Sequence, residues 1–235
     1  MPHRRAPAAT ELVVTALVAL LAGTCGGPSP KIVPPAGEVE AVEGYGNASV
    51  RGGEATLKGK FSFLFRRPGL GRIGAVDPFG RTLYFMLFRG DRAYFVLPSK
   101  KAYAEDAPQT MMERFLGFAV LPDDVIRLLG GRWPESGAGG TAGESAGEWK
   151  LERTSGGRVS GGAKDGLTFK VEEFAGSSDV PKVLSFSEAA SSGRLKILTL
   201  RFNPPDRPEA FDPGFLDKFS RTSWDDLVEM MRREG

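Results

Sequence analysis

Three kinds of residue in this sequence could carry covalent or acid–base chemistry: a thiol, an imidazole and paired carboxylates. Cys25 is the only cysteine in the 235 residues, so it has no partner for an internal disulfide. The only histidine is His3. The adjacent acids Asp123-Asp124 and Asp225-Asp226 offer the residue types of carboxylate-pair hydrolysis. Both pairs fall where first turns of helices are expected, and solvated negative charge at a helix N-terminus accounts for them more simply. Gly53–Lys60 has the glycines and lysine of a phosphate-binding loop. Its spacing is wrong by one, Phe61 replaces the Ser/Thr, and strand alternation follows instead of a helix, so that reading is excluded.

The surroundings of Cys25 give it another role. His3, Arg4 and Arg5 precede an apolar run, Leu12–Gly23, and the small residues Gly23, Thr24, Gly26 and Gly27 surround the thiol. The run is about 12 residues, short of the roughly 20 that a spanning helix needs. A basic start, a short apolar stretch and a small-residue exit make residues 1–24 a secretory signal; an uncleaved membrane anchor is the alternative. Leu21-Ala22-Gly23-Thr24-Cys25 resembles the lipobox of bacterial lipoproteins, with Thr24 inserted. The resemblance implies a palmitate-type acyl anchor on Cys25, in which each buried CH₂ contributes about 0.8 kcal/mol. Gly26, where inner-membrane lipoproteins often carry Asp, implies the outer membrane.

Removing residues 1–24 takes away His3, and acylation of Cys25 would leave no free thiol. That excludes Ser-His-Asp and Cys-His catalysis, imidazole zinc sites and thiol redox chemistry. The expectation is a protein that is not an enzyme and needs no cofactor or metal. Loss of Arg4, Arg5 and Glu11 leaves a net charge near +1 with no basic run, so nucleic acid is not an expected partner.

The elements that must position any binding site begin after residues 25–38, a Pro/Gly-rich tether. Residues 57–66 alternate Phe61, Phe63 and Phe65 with Lys60, Ser62 and Arg66, a period of two. Residues 71–76, 81–88 and 92–97 continue as strands, joined by the turn Asp77-Pro78-Phe79-Gly80 and by Arg89-Gly90-Asp91. The period then changes. Residues 108–116 and 122–129 each begin with Pro and end before Gly, and both carry apolar residues at helical spacing. A Gly/Ala/Ser/Glu segment over 134–147 reads as a mobile loop. Strands return at 149–153, 167–174, 183–186 and 195–202. A C-terminal extension over 206–235 ends in a helix at about 224–233, capped by Ser223. The β domain is placed at 39–205.

Three stretches, GNASVRGG…LKGKFSFLFRRPGLGRIGAVDPFGRTLYFML, DRAYFVLPSKKAYAED and MMERFLGFAVLPDDVIRLLGG, resemble the LolA/LolB lipoprotein-carrier superfamily, nearest its LolB-like outer-membrane members. The matching positions are Arg72, the Asp77–Gly80 turn, Gly117, Leu121-Pro122 and Leu128-Leu129-Gly130, within roughly residues 44–205. The chain departs from the family in lacking a helix before the first strand and in carrying the extension after residue 205. The resemblance implies a mainly β fold with short helices: a half-open, strongly curved antiparallel β-barrel covered by a helical lid, holding acyl chains in between. It implies a monomer that takes acyl chains of lipoproteins or lipids, faces the periplasm and helps localise lipoproteins. A periplasmic LolA-like carrier would be the donor. An assembly lipoprotein using the same fold as a protein-binding platform is the alternative.

Alternation places Phe61, Phe63, Phe65, Leu83, Phe85, Leu87, Phe95 and Leu97 on one face, joined by Met111, Phe115 and Ile126 from the helices. Taken singly, each reads first as core and second as ligand contact. Tyr84, Met86 and Phe88 make the other face of residues 81–88 apolar too, so both sides of that strand must be covered. Phe79 stands at a turn tip. Either it projects, as the membrane-inserting residue of LolB-like proteins does, or it folds back onto the rim.

Overall fold

The computed structural model describes residues 32–52, 57–133 and 149–233. The signal, Cys25 and the 134–147 loop lie outside these residues. Among the described residues twelve strands form a single curved, unclosed sheet. In chain order they are β1 (Ala41–Arg51), β2 (Leu57–Arg66), β3 (Leu70–Val76), β4 (Thr82–Arg89), β5 (Arg92–Leu97), β6 (Ala102–Asp106), β7 (Lys150–Arg153), β8 (Val159–Lys164), β9 (Leu167–Phe174), β10 (Pro181–Glu188), β11 (Ser191–Phe202) and β12 (Ser220–Arg221). Their order across the sheet is β12-β6-β5-β4-β3-β2-β1-β11-β10-β9-β8-β7. Every pairing is antiparallel except the short parallel contact of β12 with β6. Two meanders, β2–β6 and β7–β11, are therefore joined through β1, and the outer edges of β12 and β7 do not meet.

Among the described residues three α-helices accompany the sheet: α1 (Pro108–Leu116), α2 (Pro122–Gly130) and α3 (Trp224–Arg232). Proline opens both α1 and α2, where its missing N–H and fixed φ are harmless. Gly117 closes α1 at φ 80°, a conformation that costs glycine little, and its N–H reaches the Glu113 carbonyl. Ser223 caps α3 by accepting from the Asp226 N–H. Hydrogen bonds from Ser223 and Thr222 hold the Asp226 carboxyl below its ordinary pKa despite some desolvation. Among the described residues no helix is long and apolar enough to cross a membrane.

All three helices contribute to one apolar cluster with the inner face of the sheet. Met111, Met112 and Phe115 of α1, Ile126, Leu128 and Leu129 of α2, and Trp224, Leu227 and Val228 of α3 join Phe61, Phe63, Phe65, Met86, Phe88 and Phe95 there. A second, smaller cluster lies on the outer face. Leu64, Phe85, Leu87, Tyr94 and Val96 are covered by Phe211 and Leu216, with Phe215 and Phe219 packed alongside. The covering residues come from two 3₁₀ turns, Pro208–Phe211 and Pro213–Lys218. Both sides of β4 are thus buried, as its two apolar faces require.

Candidate functional site

The inner face is built by register. Phe61, Phe63 and Phe65 of β2 stand opposite Ala75, Ile73 and Gly71 of β3. Those residues face Tyr84, Met86 and Phe88 of β4, and Met86 in turn faces Phe95 of β5. Rings fill the surface. Phe63 lies 6.3 Å from Phe65, and Phe65 lies 6.5 Å from Phe88. Phe95 stacks on Tyr84 at 5.3 Å and meets Phe115 at 5.0 Å and Trp224 at 5.3 Å. Burial pushes the Tyr84 phenol well above its usual pKa. Offset and edge-on ring pairs of this kind contribute roughly 0.5–1.5 kcal/mol each beyond burial.

Of the sequence-derived residues, Phe61, Phe63, Phe65, Phe95, Leu97, Met111, Phe115 and Ile126 are brought together in this cluster. Leu83, Phe85 and Leu87 are not, and their placement is a correction. Phe85 and Leu87 belong to the outer cluster, and Leu83 is 49% exposed. The reason is that β4 is apolar at consecutive positions, so alternation gives no sign of which parity points inward. Pairing with β3 decides it, and places Tyr84, Met86 and Phe88 inside.

Arg72 faces outward between Leu64 and Leu87, its guanidinium carbon 4.1 Å from the Phe85 ring centroid. Burial pushes its pKa down from the ordinary value. Two aromatic groups escaped the sequence reading. Trp224 reaches the inner face from the C-terminal extension. At the other half of the sheet Trp133 stacks on Phe169 at 5.8 Å, with Trp149 edge-on to Phe169 at 5.2 Å. Tryptophans on both sides of the low-complexity segment were the available signal.

Asp123, Asp124 and Asp226 of the acid pairs have structural partners. Asp124 is buried, not solvated as the sequence suggested. Its carboxylate accepts from Lys164 Nζ at 3.0 and 3.2 Å and from Trp149 Nε1 at 2.9 Å. This clasp ties the first turn of α2 to β8. Asp123 accepts from the Gly69 N–H at 3.2 Å.

Phe79 is 85% exposed at the tip between β3 and β4. Asp77 builds the turn beneath it, accepting from the N–H groups of Phe79 and Arg81 at 2.8 and 2.9 Å and from Arg81 Nε at 2.6 Å. Desolvation raises the Asp77 pKa, but these hydrogen bonds and the guanidinium charge outweigh it and hold the carboxyl below its usual range.

The class of structure is therefore an open, curved β-sheet with an aromatic inner face and short helices against it. Solved structures with a similar chain path include a LolA-superfamily protein from Nitrosomonas europaea, at 12% identity and a TM-score of 0.47, covering 78% of this chain and 94% of that one. An outer-membrane lipoprotein-sorting protein domain from Vibrio parahaemolyticus is similar at 11% identity and 0.49, covering 75% and 91%. A DUF1329-family protein from Desulfovibrio piger is similar at 9% identity and 0.48, covering 76% and 92%. No protein-family model matches the chain, and no curated protein matches it.

Proposed function

We propose that this chain is a non-enzymatic acyl-chain binder, anchored through Cys25 in the outer membrane and facing the periplasm, that helps localise or insert lipoproteins. The observation that carries the reading is the inner face: a continuous apolar surface on an unclosed sheet, packed against three nine-residue helices. Acyl chains offer apolar area and few directional contacts, so such a face suits them at about 25 cal/mol per Å² buried. Side chains of the protein itself occupy the face here. A ligand must exchange with helix contacts, and the flexible Met111 and Met112 are suited to such repacking. The helices then act as a lid. Phe79, held outward by the Asp77 turn, is the residue for contact with the receiving bilayer.

One observation favours the platform alternative. Phe61, Phe63, Phe65, Phe95, Met111, Phe115 and Ile126 are all at most 6% exposed, the burial of an ordinary core. Native mass spectrometry of membrane-purified protein separates the readings: the carrier co-purifies with lipid or acylated peptide, and the platform does not. In a loading-and-release assay, Phe79→Glu should leave capture intact and slow transfer to vesicles, because a carboxylate is costly to bury in the acyl boundary. Normal release by the folded variant would remove Phe79 from the mechanism.

A further inference from the structure

The sequence contains no basic run, yet the fold collects isolated basic residues at one end of the sheet. Lys58 and Lys60 lie at the start of β2, where Lys60 stands opposite Val76, the last residue of β3 before the Phe79 turn. Across β1, Lys60 faces Asn47, which faces Lys196 of β11. Lys60 and Lys196 therefore flank β1 two strand spacings apart, about 9.5 Å. Arg51 ends β1 four residues beyond Asn47 toward the same end, and Lys101 sits there in the connection between β5 and β6. Arg51, Lys58, Lys60, Lys101 and Lys196 are exposed, and among the described residues none of them makes an ion pair.

The opposite end differs. There Arg66 pairs with Asp206, Arg92 and Arg221 with Glu105, and Arg201 and Arg207 with Glu43. Among the described carboxylates near the basic end, Asp77 is neutralised within its turn by Arg81, Glu172 pairs with Arg194, and Glu173 pairs with Lys182 while also feeling the charge of Lys196; Asp165 and Glu188 lie toward β8–β10. Lys58 and Lys60, with no ion pair among the described residues, thus lie at the end of the sheet that carries an exposed Phe79 and a half-exposed Leu83. Apolar side chains at a tip with cations set behind them suit a bilayer surface, where rings enter the acyl boundary while ammonium groups remain among phosphates.

We propose that this end of the sheet is a docking surface for anionic phospholipid headgroups, with Lys58, Lys60 and Lys196 giving the preference for negative charge. The inference rests on the reading that Phe79 enters a bilayer and adds which bilayer it selects. Near an anionic membrane each cation strengthens binding by about fivefold. The full chain held in phosphatidylcholine nanodiscs is mixed with vesicles of phosphatidylcholine alone, or with roughly one-third phosphatidylglycerol, and capture is read by co-flotation. Wild type should favour the phosphatidylglycerol vesicles by at least tenfold, and added salt should reduce the preference.

Lys58→Glu/Lys60→Glu/Lys196→Glu should abolish the preference and keep the capture by neutral vesicles, with an unchanged near-UV circular dichroism spectrum. Equal wild-type capture by both vesicles, or a preference surviving in the triple variant, overturns the proposal. So does salt-sensitive binding to immobilised polyglutamate without vesicle preference, which assigns the surface to an acidic protein. Phe79→Glu separates the two readings: neutral capture retained by that variant refutes insertion of Phe79, whereas the charge preference reports only on the lysines.

Discussion

The clasp at Asp124 offers the most direct test of whether α2 must yield before a ligand enters. Asp124→Leu removes the anion while Lys164 Nζ and Trp149 Nε1 stay in place, with Asp124 and Lys164 side chains 9% and 20% exposed. Removing one partner of a fully buried pair costs about 3–5 kcal/mol. Lys164 is near enough to solvent to turn outward, which lowers its share, while an unsatisfied indole N–H adds about 1–3 kcal/mol. We expect a loss of about 2–4 kcal/mol. Asp124→Leu/Lys164→Met should recover most of the lysine's share, and Asp124→Asn, which keeps an acceptor for Trp149, should fall between. Urea unfolding followed by circular dichroism gives these values. If α2 acts as a lid, weakening the clasp by 2 kcal/mol raises the population of the open form, and with it the acyl-ligand association rate, by up to about 30-fold. Stability unchanged in Asp124→Leu would refute the clasp. A destabilised variant with an unaltered association rate would detach α2 from ligand access.

Other outcomes are equally specific. Phe63→Glu should weaken acyl-ligand binding; circular dichroism must show the variant folded, and unaltered affinity in a folded variant favours the platform. Gly44→Ala should destabilise the junction of β1 and β11, because its Cβ would lie 2.1 Å from the Thr199 carbonyl oxygen and 2.9 Å from the Phe63 ring; thermal unfolding measures it. The Asp77 carboxyl has a lowered folded pKa, so its contribution is complete above the ordinary carboxylate range and is lost as pH falls through the folded value. Protection of the Phe79 and Arg81 amides, measured as exchange relative to the intrinsic rate at each pH, should therefore fall only below about pH 4, and Asp77→Asn should remove that fall. Cys25→Ala should abolish metabolic palmitate labelling and membrane partition; unchanged labelling would exclude acylation there.

Strands with one polar face were legible in the sequence, as were helices opened by proline. The expected 57–66 strand and 108–116 helix coincide with β2 and α1. Parity failed at β4, where both faces are apolar and only inter-strand pairing distinguishes them. The six-residue β8, Val-Ser-Gly-Gly-Ala-Lys, went unseen because two glycines and no alternation leave no period to read. The sequence showed that something must cover the second face of β4, but not that Phe211 and Leu216 do so. Those residues lie in 3₁₀ turns without helical or strand periodicity. The cluster of cations at one rim was likewise hidden, since Lys60 and Lys196 are brought across β1 by topology.

The course of the C-terminal segment bears on how an unclosed sheet avoids polymerising. After its aromatics cover the outer face, the chain adds β12 in parallel to β6, and α3 then reaches the inner cluster. It folds around an edge that would otherwise present unpaired N–H and C=O groups to another molecule. At the other edge, β7 is only four residues, Lys-Leu-Glu-Arg, short and charged enough to be a poor template for further strands. Peeling away residues 206–233 would expose together a strand edge and the apolar patch of Phe85, Leu87, Tyr94 and Val96, the two ingredients of edge-to-edge aggregation. The segment thus guards solubility as well as packing, and a protease cut before Asp206 would convert a self-limited sheet into an adhesive one.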